Sequence, residues 1–147
     1  MDNGKTKNIN ELIKKAKNIS ILYAEDEKLL RERTASFFKK IFADVDVAVD
    51  GREALDKYMI NKYDIVITDI EMPNMDGLEL INNIRKLNKE QEIIINSAYT
   101  ETEFRSEANK YNVTKYIRKP IEINEIIKIL GEYIDKINLL SKKDNGR

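Results

Sequence analysis

The chain of 147 residues contains no cysteine and no histidine. Without cysteine there is no disulfide, no thiol nucleophile and no thiolate metal site. Without histidine the chain lacks the commonest general base and the commonest transition-metal ligand, so any cation it holds should be a hard, oxygen-seeking one such as Mg2+. Neither sign of charge is in excess: Lys+Arg and Asp+Glu number 26 each, which gives no global attraction to nucleic acid or to an anionic membrane. No apolar run approaches the ~18 residues that span a bilayer. The first residues, Met1-Asp2-Asn3-Gly4-Lys5, lack the apolar core of a signal peptide. The expectation is a cytoplasmic protein with neither nucleic acid nor membrane as a direct partner, whose function rests on local placement of charge.

What is present fits one domain: an apolar share of 41% suffices for a core, and 35% charge clothes it. Apolar runs of strand length alternate with segments of helical period, the signature of βα units around a parallel sheet. Strands are expected at 19–24, 44–49, 64–68, 92–96 and 114–118, with helices at 27–41, 51–61, 77–87, 101–111 and 122–140. Most of these strands are nearly continuous in apolar residues, as strands covered on both faces are. The second alternates, Asp44-Val45-Asp46-Val47-Ala48-Val49, and reads as an edge strand with Asp46 turned outward against edge pairing. Residues 1–17 form an N-terminal extension in which Ile9, Leu12, Ile13 and Ala16 share one face of a short amphipathic helix. Residues 18–140 form the domain, and 141–147 read as a frayed, disordered polar tail. The last helix carries two apolar stripes. Ile127, Leu130, Ile134 and Ile137 can cover the sheet, which leaves Ile126, Ile129, Tyr133 and Leu140 for a second partner.

Charged residues gather at strand ends. Asp69 closes the run Asp64-Ile65-Val66-Ile67-Thr68, Glu25-Asp26 closes the first strand, and Lys119-Pro120 the last. The carboxyl ends of strands in open α/β sheets are where ligands bind, so three carboxylates and one lysine there suggest a pocket for a divalent cation and a phosphoryl group. Each residue also has a plainer use. Glu25 or Asp26 can cap the following helix, as can Ser97, Asp69 can be a turn residue, Lys119 a surface lysine and Tyr116 an ordinary strand aromatic. Pro73 fixes the turn after Asp69, Gly77 serves positive φ or crowding at the helix start, and Asp76 caps that helix.

Taken in order, the acidic pair Glu25-Asp26, Asp69 before Met72-Pro73-Asn74-Met75-Asp76-Gly77, Ser97-Ala98, Tyr116 and Lys119-Pro120 resemble the receiver domain of bacterial two-component response regulators. The likeness spans about residues 18–138. It implies a flavodoxin-like (βα)5 fold with a five-stranded parallel sheet in the order 2-1-3-4-5 and helices on both faces. It also implies that Asp69 accepts a phosphoryl group from a sensor histidine kinase, a phosphotransfer protein or a small phosphodonor. Magnesium would be held by Asp26, Asp69 and the backbone carbonyl of Glu71, with Glu25 acting through water or through its field. Ser97, Tyr116 and Lys119 would bind phosphate and switch, while Glu71 and Tyr99 would tune hydrolysis. Such a domain is not an enzyme acting on a separate substrate. It promotes its own phosphorylation and dephosphorylation and alters the surface of its last two helices and fifth strand to regulate a downstream partner or output module; a homodimer through the last helix is also allowed.

The chain departs from the family in having Asn112-Val113 before the fifth strand and Ile121 after Lys-Pro. An FMN protein of the same fold would need a phosphate cradle where Glu25-Asp26-Glu27 stand and would repel it. A haloacid-dehalogenase-type phosphatase would need aspartate at Glu71 and a lid domain. A degenerate scaffold would have lost an acceptor, metal or lysine position, and none is lost.

Overall fold

The computed structural model describes residues 9–98, 104–113 and 115–145. After α1 (Ile9–Ala16) the chain alternates strand and helix: β1 (Ser20–Ala24), α2 (Lys28–Lys39), β2 (Asp44–Ala48), α3 (Gly51–Ile60), β3 (Ile65–Thr68), α4 (Gly77–Leu87), β4 (Glu92–Ser97), α5 (Arg105–Lys110), β5 (Lys115–Arg118) and α6 (Ile123–Asn145). The five strands form one sheet in the order β2-β1-β3-β4-β5, and every pairing is parallel. This is the expected flavodoxin-like arrangement, with β2 at an edge.

Strand periodicity divides the core. Leu22, Ala24, Val66, Ile93 and Ile95 point to one face, where Leu80, Ile81 and Ile84 of α4 and Ala108 of α5 cover them. Ile21, Tyr23, Ile65, Ile67, Ile94 and Ile117 point to the other, against Phe38 of α2 and Ile126, Leu130 and Ile134 of α6. Neighbouring residues of β1 and β3 therefore serve opposite layers, which is why these strands are apolar throughout. The order reverses between β1 and β3, so the crevice at a topological switch point opens above their carboxyl ends.

Several boundaries shift. β2 stops at Ala48, and the start expected for the fifth helix, 101–103, lies outside the described residues, as does 114 before β5. α6 runs on through Asn145, past the expected domain boundary at 140, and no glycine or proline follows Gly131 before Gly146. The two-stripe division of this helix also changes. Ile126 is fully buried beside Ile127, and Ile129 and Tyr133 pack against the same core. The Tyr133 hydroxyl donates to the Asp64 carbonyl at 3.3 Å, and its ring lies 5.5 Å below the Lys115 ammonium. The second stripe is thus mostly taken up within the domain, and Leu139 and Leu140 are left exposed at the helix's end. α1 also lies on α6: Ala16 is buried in that layer, and Lys15 pairs with Asp135 at 3.1 Å. Asp46 stands exposed on the edge strand as expected and accepts a hydrogen bond from the Tyr63 hydroxyl at 2.5 Å.

Candidate functional site

The parallel register brings the strand ends level. The Glu25 N–H donates to the Ala48 carbonyl and the Asp69 N–H to the Ala24 carbonyl, at 3.0 and 3.1 Å, so the loops after β1 and β3 leave the sheet side by side. Ligand oxygens of Glu25, Asp26 and Asp69 lie within 4.8 Å of one another. Glu25 and Asp69 are buried, whereas Asp26 is exposed. Lys119 crosses from the end of β5, where its N–H bonds the Ser97 carbonyl at 2.9 Å and its peptide to Pro120 is cis. Its Nζ sits 2.6 Å from Asp69 Oδ2 and 2.5 Å from Glu25 Oε1. Three carboxylates thus face one ammonium, which leaves room for another cation. The set has only hard oxygen donors, and this suits a small divalent ion such as Mg2+.

The carboxylates differ in what already holds them. Glu25 Oε2 accepts the Glu27 N–H at 3.0 Å while its other oxygen faces Lys119. Burial pushes its pKa above the ordinary carboxylate value, and Lys119 and the Glu27 N–H only partly offset this. Burial pulls Lys119 the other way, yet Asp69 and Glu25 outweigh it and hold the ammonium above its usual range. Asp69 Oδ1 accepts the Ile70 N–H at 2.7 Å, so the residue's two oxygens are separately anchored. Neither Glu25 nor Asp26 caps α2 with its side chain: the N-cap is Glu27, without a side-chain cap bond. The plainer capping use of the acidic pair therefore does not hold.

Ser97 is buried at the end of β4. On β5, the half-buried Tyr116 donates its hydroxyl to the Val113 carbonyl at 3.3 Å and tilts its ring onto Phe104, 5.9 Å between centroids. Glu71 lines the same cleft of about 450 Å3 as Asp26, Asp69 and Lys119. Tyr99 lies outside the described residues. A larger cavity of about 720 Å3 opens at the opposite end of the sheet. Its Tyr58 hydroxyl donates to Gln91 Oε1 and Gln91 Nε2 to the Asp64 carbonyl, so these polar groups are spent on one another.

The loop after Asp69 explains its motif. Asp76 caps α4 by accepting the Glu79 N–H. Asn74, not Gly77, takes the left-handed backbone, with φ 67°. Gly77 is required for space, because a Cβ there would lie 2.0 Å from the Asp69 carbonyl oxygen. Asn112 also adopts the left-handed conformation, φ 59°, and Val113 fills the core behind it, so this departure from the family keeps the turn. Three contributors were missed in the sequence. Arg31 bonds the carbonyls of Glu25 and Asp26, Asp50 receives the Asn74 amide at 2.7 Å, and the Thr68 hydroxyl donates to the Asp69 carbonyl. Only Asp50, before the helix of α3, carried a local signal, that of an N-cap.

The sequence profile of the response regulator receiver domain matches residues 21–131. The chain belongs to that family. This receiver is 36% identical over 120 residues to the uncharacterized transcriptional regulatory protein YesN of Bacillus subtilis, an overlap covering 80% of this chain and 33% of YesN. Its structure is similar to the receiver domain of a Francisella response regulator, with a TM-score of 0.73 and 33% identity, covering 82% of this chain and 99% of that one. It is also similar to the response regulator TrrA of Thermotoga maritima in complex with Mg2+ and BeF, with a TM-score of 0.69 and 33% identity, covering 78% and 98% of the two chains. The receiver spans a third to a half of the length of the curated relatives it matches. Among the described residues no helix is long and apolar enough to cross a membrane. Membership makes the chain a module of phosphorylation-dependent signalling.

Proposed function

We propose that Asp69 accepts a phosphoryl group from the phosphohistidine of a sensor kinase or phosphotransfer protein, or from a small phosphodonor. An Asp69 carboxylate oxygen forms a bond to phosphorus as the bond from phosphorus to the donor's leaving atom breaks, and that electron pair departs with the donor. The Lys119 ammonium, shared between Asp69 and Glu25, is the observation that best supports this: it is already placed to follow negative charge from the carboxylate to the phosphoryl oxygens.

Asp26, Asp69 and the Glu71 carbonyl would hold Mg2+, with Glu25 contributing through water or its field. When bound, the ion supplies the positive charge that lets an anionic phosphoryl group approach carboxylates. Ser97 would donate its hydroxyl to a phosphoryl oxygen, and Tyr116 would follow it inward. Glu71 and Tyr99 would flank the path of an attacking water and set the lifetime of the acyl phosphate. Movement of Ser97 and Tyr116 would bias the surface formed by α5, β5 and α6 between two arrangements, and so regulate a downstream partner or output module. Pairing of two copies would use the end of α6, where Leu139 and Leu140 are exposed; sedimentation with and without beryllofluoride tests it.

Incubation with acetyl phosphate and Mg2+ should add one phosphoryl group by intact mass, and Asp69→Asn should abolish the addition. Equal modification of the Asp69→Asn protein would refute the assignment.

A further inference from the structure

We propose that Arg31 is a positioning residue for the acid cluster, holding the turn between β1 and α2 in the shape from which Asp26 meets the cation. The proposal rests on the phosphoacceptor reading above and adds to it a residue outside the cluster.

Arg31 lies in the opening turns of α2, where a positive side chain opposes the helix dipole. No acidic residue occupies the first turn to balance it, and no side chain caps the helix. Its guanidinium instead reaches back beyond the helix start. Nη1 donates to the Glu25 carbonyl at 2.9 Å and to the Asp26 carbonyl at 3.2 Å. These are the two peptide units that carry the acidic pair.

Their side chains are secured unequally. Glu25 is buried and fixed by Lys119 and by the Glu27 N–H. The Asp26 carboxylate is exposed and takes no hydrogen bond or ion pair from the described residues, so the turn's backbone is what aims it. That backbone is held at the Asp26 carbonyl by Arg31. Residues that orient metal ligands without touching the metal typically change its affinity by about 10–100-fold.

Two effects of the guanidinium compete. Its charge repels a nearby cation, and its hydrogen bonds pre-shape the ligand. Arg31 is half-buried but the Asp26 carboxylate is exposed, so solvent and salt screen the repulsion in part, whereas a turn freed of its clamp must be re-ordered at each binding event, and the clamp should dominate.

The test is calorimetric titration of the whole chain with Mg2+, alongside thermal melts in the absence of metal and acetyl phosphate labelling at rising Mg2+. Arg31→Met should weaken Mg2+ about tenfold. It should also raise the Mg2+ concentration for half-maximal labelling by the same factor, while saturating Mg2+ restores labelling. Arg31→Lys keeps the charge and the aliphatic stem but not the planar fork, and should show a smaller loss in the same direction; it carries the test if Arg31→Met does not fold. Wild-type affinity in the folded variants, or tighter binding by Arg31→Met, overturns the role. A wild-type chain that neither binds Mg2+ nor takes up phosphate places the fault in the underlying reading instead.

Discussion

Gly77→Ala probes the contact on which the acceptor's backbone rests. The added methyl would lie 2.0 Å from the Asp69 carbonyl oxygen and 2.9 Å from the Asp69 carbonyl carbon and the Ile70 Cα. All three are backbone atoms, and the chain there is held by the Gly77 N–H to the Ile70 carbonyl at 2.7 Å and by the Thr68 hydroxyl to the Asp69 carbonyl at 2.8 Å. No flexible side chain can yield, so either the start of α4 or the acceptor loop must move. Replacing glycine by alanine inside a helix gains at most about 1 kcal/mol, and less at its first residue. Overpacking a filled site costs about 1–3 kcal/mol, and a clash with backbone belongs at the upper end. The net loss should be about 1–2 kcal/mol, which in a domain of this size lowers Tm by about 2–8 °C. Circular dichroism melts give the first readout and acetyl phosphate labelling the second. Where the acceptor loop is the part that moves, Asp69 is displaced and labelling should fall even in a fully folded variant. An unchanged or higher Tm with normal labelling would refute the close-approach account of Gly77.

Asp50→Ala removes both the cap on Glu53 N–H and the tie to Asn74, and should cost about 1–2 kcal/mol by urea denaturation. The Glu53 N–H and then the Asn74 amide hold the Asp50 pKa below its ordinary value. The native state therefore binds this proton less readily than the unfolded chain. The contribution is complete above about pH 4, the unfolded carboxylate value, and is lost as pH falls through the native pKa. Wild type and Asp50→Ala should accordingly converge in Tm toward pH 3; a gap as wide there as at pH 7 would contradict the argument. Ile126→Lys should prevent stable folding, since Ile126 is 0% exposed, while Leu139→Lys, at a position 67% exposed, should alter stability by no more than about 0.5 kcal/mol. Tyr99→Ala should shorten the lifetime of the acyl phosphate if the bulk of Tyr99 shields it from water, and an unchanged decay rate would exclude that role.

The sheet was legible because its strands declare themselves twice. Ile21-Leu22-Tyr23-Ala24 and Ile65-Val66-Ile67-Thr68 are apolar on both faces, and each is followed at once by an acid that has no place in such a strand. Core pattern and site pattern thus pointed to the same strand ends, and the acids meet within 4.8 Å as a parallel register requires. The clamps around the site gave no comparable signal. Arg31 acts on backbone carbonyls, and at the opposite end of the sheet Arg85 does the same, its guanidinium bonding the carbonyls of Tyr111 and Gln91. A backbone carbonyl has no letter in the sequence, so an arginine bound to one looks like any arginine on a helix.

The last helix shows the opposite difficulty, an excess of signal. Its apolar residues outnumber those of one helical face, and taken singly a helix with two stripes calls for two partners. The sheet is only part of what surrounds it. Lys115 and the Asp64 carbonyl receive Tyr133, and Ala16 and Lys15 of α1 meet its far side. Both come from parts of the chain whose position relative to α6 no period in that helix encodes: a strand on the sheet's edge and a helix outside the βα repeat. The amphipathic segment at 9–16 and the surplus stripe at the end of the chain, each unpartnered when read alone, are therefore partly each other's explanation. What remains uncovered is the stretch holding Leu139 and Leu140, and it is there, and not along Ile126 and Ile129, that a contact beyond this domain has apolar surface to bind.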